Sequence, residues 1–145
     1  MKTAIDILMV GDTPGFVAKI RRSLRRAGLS FHIKQVKARE SLLHELRRHR
    51  PDAILSDYVL SSFHRFRALA IARQIRPDVP FVFVIKSNDE EPSDEIWQAG
   101  ANDDILKSSL SALAPTLRGA LREARERTRL RDMELAVLTS RWTAR

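Results

Sequence analysis

Short, almost uninterrupted apolar runs alternate along this chain with longer segments whose apolar residues recur every third or fourth position. The clearest run is Phe81-Val82-Phe83-Val84-Ile85, which contains no polar residue. A strand with one wet face alternates polar and apolar side chains, so a run without polar residues predicts a strand covered on both faces. Ile5, Ile7, Leu8, Met9 and Val10 make a second run from about Ala4 to Val10, and Ala53 to Ser56 a third, which delivers Asp57. Between them Phe16, Val17, Ile20 and Leu24 recur at helical spacing, as do Leu42, Leu43 and Leu46, and then Phe66, Leu69, Ala70 and Ile75. Strands alternating with helices in this way define βα units on a parallel sheet, an α/β fold.

Local punctuation supports the same division. Thr13 reads as an N-cap with Pro14 at the first helical position, and Gly28 as the stop of that helix. The mixed pattern of Phe31 to Val36 predicts an edge strand. A helix from about Arg39 to Arg48 ends at Pro51, and Pro77 and Pro80 bracket the turn before Phe81. The polar stretch Lys86 to Glu91 predicts a loop, followed by a short helix with Ile96 and Trp97 that Gly100 closes, and Asp104 to Lys107 predicts a last strand. Pro115 then opens a long helix through Leu117, Leu121 and Ala124, where Leu130, Met133 and Val137 resume an apolar stripe too irregular for a sustained heptad. The expected organisation is a domain over 1–126 and a helical extension or linker over 127–145.

With 145 residues the chain makes one domain with a real core. It has no cysteine, which excludes a disulfide framework, a thiol nucleophile and a Cys-based zinc site. The first apolar stretch is too short to span a membrane and carries Asp6, so a cytoplasmic location without membrane attachment is expected. The net charge of +8 is spread over Arg21 to Arg26, Arg47 to Arg50 and Arg118 to Arg131, with no interleaved aromatic residues. That dispersion argues for solvated helix faces and against a nucleic-acid surface. His32, His44, His49 and His64 lack metal-ligand spacing, and Gly11 and Gly15 make no phosphate-binding loop.

In an open parallel sheet, function lies outside the carboxyl ends of the strands. Asp12, Asp57 and Lys107 are the charged residues at such ends. Neighbouring carboxylates suit a hard cation such as Mg²⁺, a carboxylate can act as nucleophile in phosphoryl transfer, and a lysine can pair with the group once attached. Strand-end acids also serve as loop solubilisers and helix caps, and the residues alone leave both roles open.

Three stretches resemble the receiver domains of two-component response regulators, over about Ile5 to Arg125. Ile7-Leu8-Met9-Val10-Gly11-Asp12-Thr13-Pro14 is similar to the family's first strand and acidic turn, and Pro51-Asp52-Ala53-Ile54-Leu55-Ser56-Asp57-Tyr58 to its phosphoacceptor strand. Ala99-Gly100-Ala101-Asn102-Asp103 with Ile105-Leu106-Lys107 is similar to the approach to its signature lysine. The resemblance implies a flavodoxin-like, doubly wound sheet of five strands in the order 2-1-3-4-5. It also implies a signalling module rather than an enzyme, with Asp57 as phosphoacceptor and Lys107 as its cationic partner. Mg²⁺ would be held by Asp12, Asp57 and the Val59 carbonyl. The expected partners are a sensor histidine kinase or phosphotransfer protein, a second copy in a homodimer, and an output domain downstream. The departures are specific: Gly11 replaces the first of two acidic residues, Ile85 a hydroxyl-bearing residue (Ser87 is the nearest substitute), and Asp104 an aromatic switch residue. They define an alternative, a phosphorylation-independent pseudo-receiver acting as an interaction or dimerisation module.

Overall fold

The computed structural model describes residues 4–11, 14–58, 60, 64–85 and 103–143, with the main chain only for 14, 103–109, 142 and 143. Thr13, Ser87 and the loop and helix expected between Lys86 and Gly100 lie outside the described residues. The elements run β1 (Ile5–Val10), α1 (Pro14–Arg26), β2 (Phe31–Val36), α2 (Arg39–Arg48), β3 (Ala53–Asp57), α3 (Arg65–Ile75), β4 (Phe81–Ile85) and β5 (Asp103–Leu106). A 3-10 segment, Lys107–Ala112, then leads into α4 (Leu113–Thr143). The body of the sheet is β2-β1-β3-β4, all parallel, and the short β5 pairs along the outer side of β4.

The apolar strands form because both of their faces are covered. On one face Ile7, Met9, Ala53, Leu55, Val82 and Val84 pack with Phe16, Ile20 and Leu24 of α1 and Leu113 and Leu117 of α4. On the other, Leu8, Val10, Ile54, Phe81, Phe83 and Ile85 pack with Leu42 and Leu46 of α2 and Leu69 and Ala72 of α3. The period-two alternation of strand side chains thus divides each apolar run between two cores. β2 pairs with β1 alone, and its Phe31, Ile33 and Gln35 are only half-buried while His32 and Lys34 are exposed, as its mixed pattern predicts for an edge.

Helix ends follow local chemistry. Gly28 takes φ +78° after α1, where Leu29 N–H donates to Leu24 O (3.1 Å) and Gly28 N–H to Arg25 O (3.0 Å). This paired closure needs the left-handed conformation glycine adopts without cost. Some details differ from the sequence reading: the last strand, expected over Asp104 to Lys107, runs Asp103–Leu106, and Lys107 opens the 3-10 segment. Ala70 is exposed, and Ala68, Leu69, Ile71 and Ala72 carry the inner face of α3 instead, because the central strands present a surface broad enough to take adjacent residues. Pro115 is the third residue of α4, since the 3-10 segment starts the helix earlier and buries Leu113.

Two attachments hold α4. At its start, Ser23 Oγ donates to Leu110 O (2.7 Å) and Arg118 to Ala27 O (2.9 Å). Further on, Arg131 donates through both terminal nitrogens to Asp78 in the turn before β4 (2.6 and 2.7 Å). No helix among the described residues is long and apolar enough to cross a membrane.

Phe83 is fully buried, edge-on to Tyr58 (5.6 Å), Phe66 (5.9 Å) and Phe81 (5.1 Å). Phe83→Ala should lower the unfolding free energy by about 3–5 kcal/mol in urea titration. The hydrogen bond and charge of Arg131 hold the Asp78 carboxyl below its ordinary range. A depressed folded-state pKa adds stability that is present above the ordinary carboxylate pKa and lost as pH falls through the folded value. Asp78→Asn should therefore narrow its stability gap from the parent chain as the pH of the urea titration is lowered from about 6 to 3.

Candidate functional site

Asp57 is the last residue of β3 and is 2% exposed. It reaches the sheet's carboxyl edge because β3 is central, paired with β1 on one side and β4 on the other. Asp57 lies opposite Val84, and the following residue, Tyr58, donates its N–H to Val84 O (3.0 Å). Beyond β3, Arg65 lies over the Tyr58 ring (3.8 Å to its centroid) and donates through Nε to the Tyr58 carbonyl. The Tyr58 ring itself packs edge-on against Phe66 and Phe83. The exit of the Asp57 strand is thereby tied to both the aromatic core and the first turn of α3.

Gly11, directly after β1, packs against the Asp57 carboxyl group. A methyl carbon built on Gly11 would collide with Asp57 Oδ2 and stand 3.0 Å from Cγ and 3.2 Å from Cβ. Its φ of +147° is also one that side-chain-bearing residues rarely adopt. The end of β2 holds this peptide from both sides: Gly11 N–H donates to Val36 O (2.9 Å), and Gln35 Nε2 donates to Gly11 O (2.7 Å). The missing acidic residue is therefore part of the packing, since an aspartate here would need the space Asp57 occupies. Ile85 is 1% exposed and belongs to the core on the α2/α3 face, and it has no hydroxyl to offer a phosphoryl oxygen.

Of the expected site residues, the structure describes Asp57 in full and the main chain of Lys107, the first residue after β5. Asp12 and Val59 lie outside the described residues, as does the side chain of Asp104, whose main chain pairs beside Phe83. The buried carboxylate of Asp57 at a strand end has the oxygen chemistry a hard cation requires. Gly11 adds no side-chain oxygen, and no group of three acidic or histidine residues forms a metal cluster among the described residues. Gln35, Gly11 as a close-packed neighbour, and Arg65 were not singled out as site residues by sequence. The one available signal was Gln35, a polar residue at a position the β2 alternation would give to an inward apolar side chain.

A doubly wound parallel sheet with a buried acid at the carboxyl end of its central strand defines a flavodoxin-like α/β domain. The family model for the response regulator receiver domain matches residues 7–117. The chain belongs to the response regulator receiver domain family. Among solved structures it is similar to the receiver domain of a sensor histidine kinase from Pseudomonas aeruginosa PAO1, which has magnesium coordinated in its active-site cleft (25% identity, TM-score 0.68, covering 81% of this chain and 98% of that one). It shares its fold with a CheY-like receiver domain protein from Methanospirillum hungatei JF-1 (22% identity, TM-score 0.71, 86% and 98% covered). It also shares its fold with the N-terminal domain of a response regulator/sensory box/GGDEF three-domain protein from Carboxydothermus hydrogenoformans (21% identity, TM-score 0.72, 85% and 98% covered). No curated protein sequence matches the chain.

Gly11→Ala should cost about 3 kcal/mol in equilibrium unfolding, combining the collision with Asp57 and the strained φ. In an Asp57→Ala background the carboxyl group is gone and the φ strain and the 3.2 Å approach to Cβ are left, so the same substitution should cost about 1–2 kcal/mol, a coupling that a double-mutant cycle reads directly.

Proposed function

We propose that Asp57 is a phosphoacceptor, taking a phosphoryl group from a sensor histidine kinase or phosphotransfer protein and signalling through the last helices. The observation that carries this reading is the buried carboxylate of Asp57 at the carboxyl end of the central strand, in a chain of the receiver family. A carboxylate oxygen attacks phosphorus, the bond from phosphorus to the donor's imidazole nitrogen breaks, and the imidazole keeps the electron pair and takes up a proton. An acyl phosphate on Asp57 results. Asp57, Asp12 and the Val59 carbonyl would hold Mg²⁺, which when bound offsets the charge of the phosphoryl oxygens. Lys107 would pair with the attached group. An output domain beyond α4 would receive the signal, in keeping with the receiver that forms the N-terminal domain of the Carboxydothermus protein.

A second reading is favoured by Gly11 and Ile85. The close packing of Gly11 on Asp57 and the apolar side chain of Ile85 suit a pseudo-receiver that kept the fold and works as an interaction module without phosphorylation. Intact-mass measurement after incubation with acetyl phosphate and Mg²⁺ separates the two. The phosphoacceptor reading expects one phosphoryl adduct, lost on chelation of Mg²⁺ and in Asp57→Asn. Absence of an adduct under every condition leaves the pseudo-receiver.

A further inference from the structure

Where α4 passes the base of the sheet, at the end of the strands opposite Asp57, it leaves a cleft. The cleft measures about 730 Å³, within the range of roughly 300–1,000 Å³ that small-molecule sites occupy. One wall comes from the start of β1 and the turns before β3 and β4, at Ile5, Arg50 and Pro80. The other wall is α4. Its Leu121, Arg125, Thr128, Asp132 and Ala136 recur at spacings of three and four residues, so they share one face of the helix. That face lies about a quarter-turn around the helix from the inward Leu113 and Leu117. The two hydrogen bonds of Arg131 to Asp78 fix the rotation that turns it toward the base of the sheet.

The floor of the cleft is apolar. Ile5 and Leu121 are half-buried against the core, Pro80 and Ala124 are buried, and Met133, which lines the cleft, is 54% exposed. A methionine in such a place adapts to apolar bodies of different shape. The charged groups around this floor divide into engaged and unengaged ones. Asp52 Oδ2 accepts the Asp6 N–H (2.7 Å), and Asp78 gives both carboxyl oxygens to Arg131. Arg129 approaches Glu126 at 3.9 Å. Arg50 and Arg125 stand exposed on opposite walls, and neither has a hydrogen-bond or ion-pair partner among the described residues. Asp132 is a third cleft residue without such a partner there.

Charge and shape together define the ligand. Two unpaired guanidinium groups against the Asp132 carboxylate leave an excess of one positive charge beside an apolar floor. A monoanion balances that excess, and a guanidinium receives a carboxylate through two parallel hydrogen bonds. A phosphate monoester would bring further negative charge, which Asp132 opposes. An apolar body on the same molecule would cover Leu121, Ala124 and Met133 and remove their surface from water.

We propose that this basal cleft binds a small apolar carboxylate of the fatty-acid class, with its head between Arg50 and Arg125 and its body along the floor beside Met133 and Ala136. The bound molecule joins the turn before β3 to α4, a second tie beside the one that Arg131 makes. The site lies at the far end of the strands from Asp57 and is independent of chemistry there.

Isothermal titration of the full chain with decanoate, kept below its micelle-forming concentration, tests the proposal. One decanoate should bind per chain. Decanol, which lacks the charge, and acetate, which lacks the body, should each bind at least about tenfold more weakly. Arg50→Gln and Arg125→Gln should each weaken decanoate binding several-fold, and Asp132→Asn should strengthen it. Ala136→Trp should weaken it about tenfold by filling the cleft. All four residues are exposed, so each variant should keep the fold, and Asp57→Asn should bind decanoate like the parent. Uptake that does not saturate at one per chain, decanol binding equal to decanoate binding, or parent-like affinity in Ala136→Trp or in the chain with both arginines replaced would overturn the proposal.

Discussion

Burial of β1, β3 and β4 on both faces is the constraint from which the rest of the molecule follows. Their interiors are apolar because water reaches neither face, and each unpaired polar group there would cost about 1–3 kcal/mol. Polar chemistry is thereby confined to strand ends. Ser56 and Asp57 stand among the few buried polar residues, and both lie at the carboxyl edge of the central strand. The same burial requires two layers of helices, so the chain must cross from one face of the sheet to the other, and the order β2-β1-β3-β4 places Asp57 beside the turn after β1.

Around Asp57 the main chain takes a share of the space that side chains were expected to fill. Gly11 supplies a bare peptide where the receiver resemblance calls for a carboxylate, and a methyl carbon there would collide with the Asp57 side chain as it stands. Gln35 and Val36 hold that peptide from the edge strand, so β2 acts on the site although none of its residues touches the central strand in register. On the other flank, Arg65 ties the exit of β3 to α3 through Tyr58. Two segments distant in sequence, at Gly11 and at Gln35–Val36, and one just beyond β3 at Arg65 therefore determine the surroundings of one carboxylate.

The distal part of α4 obeys different rules from the domain. Its first turns are held by burial of Leu113 and Leu117 against α1 and the sheet, whereas the later turns, with Leu130, Met133, Leu135, Val137 and Leu138 exposed, carry the Arg131–Asp78 contact. A surface ion pair of this kind contributes little stability by itself, but a two-point hydrogen bond fixes rotation well. Its consequence is directional, because it decides which apolar residues of the extension face outward.

The sequence by itself determined the elements and their class. Unbroken apolar runs admit little besides covered strands, and the limits of α2, β3 and β4 were readable from Arg39, Pro51, Pro77 and Pro80. It also named Asp57, because a lone acid closing an apolar run has to lie at an exposed edge of the sheet or be paired there. Ala70 misled because helical spacing alone does not show how broad a surface a helix meets. The contact of Gly11 with Asp57, the hold of Gln35 on Gly11, and the rotation of α4 set by Asp78 were decided only by the tertiary structure. These contacts join residues tens of positions apart, and no periodicity encodes which strand ends become neighbours until the sheet has assembled.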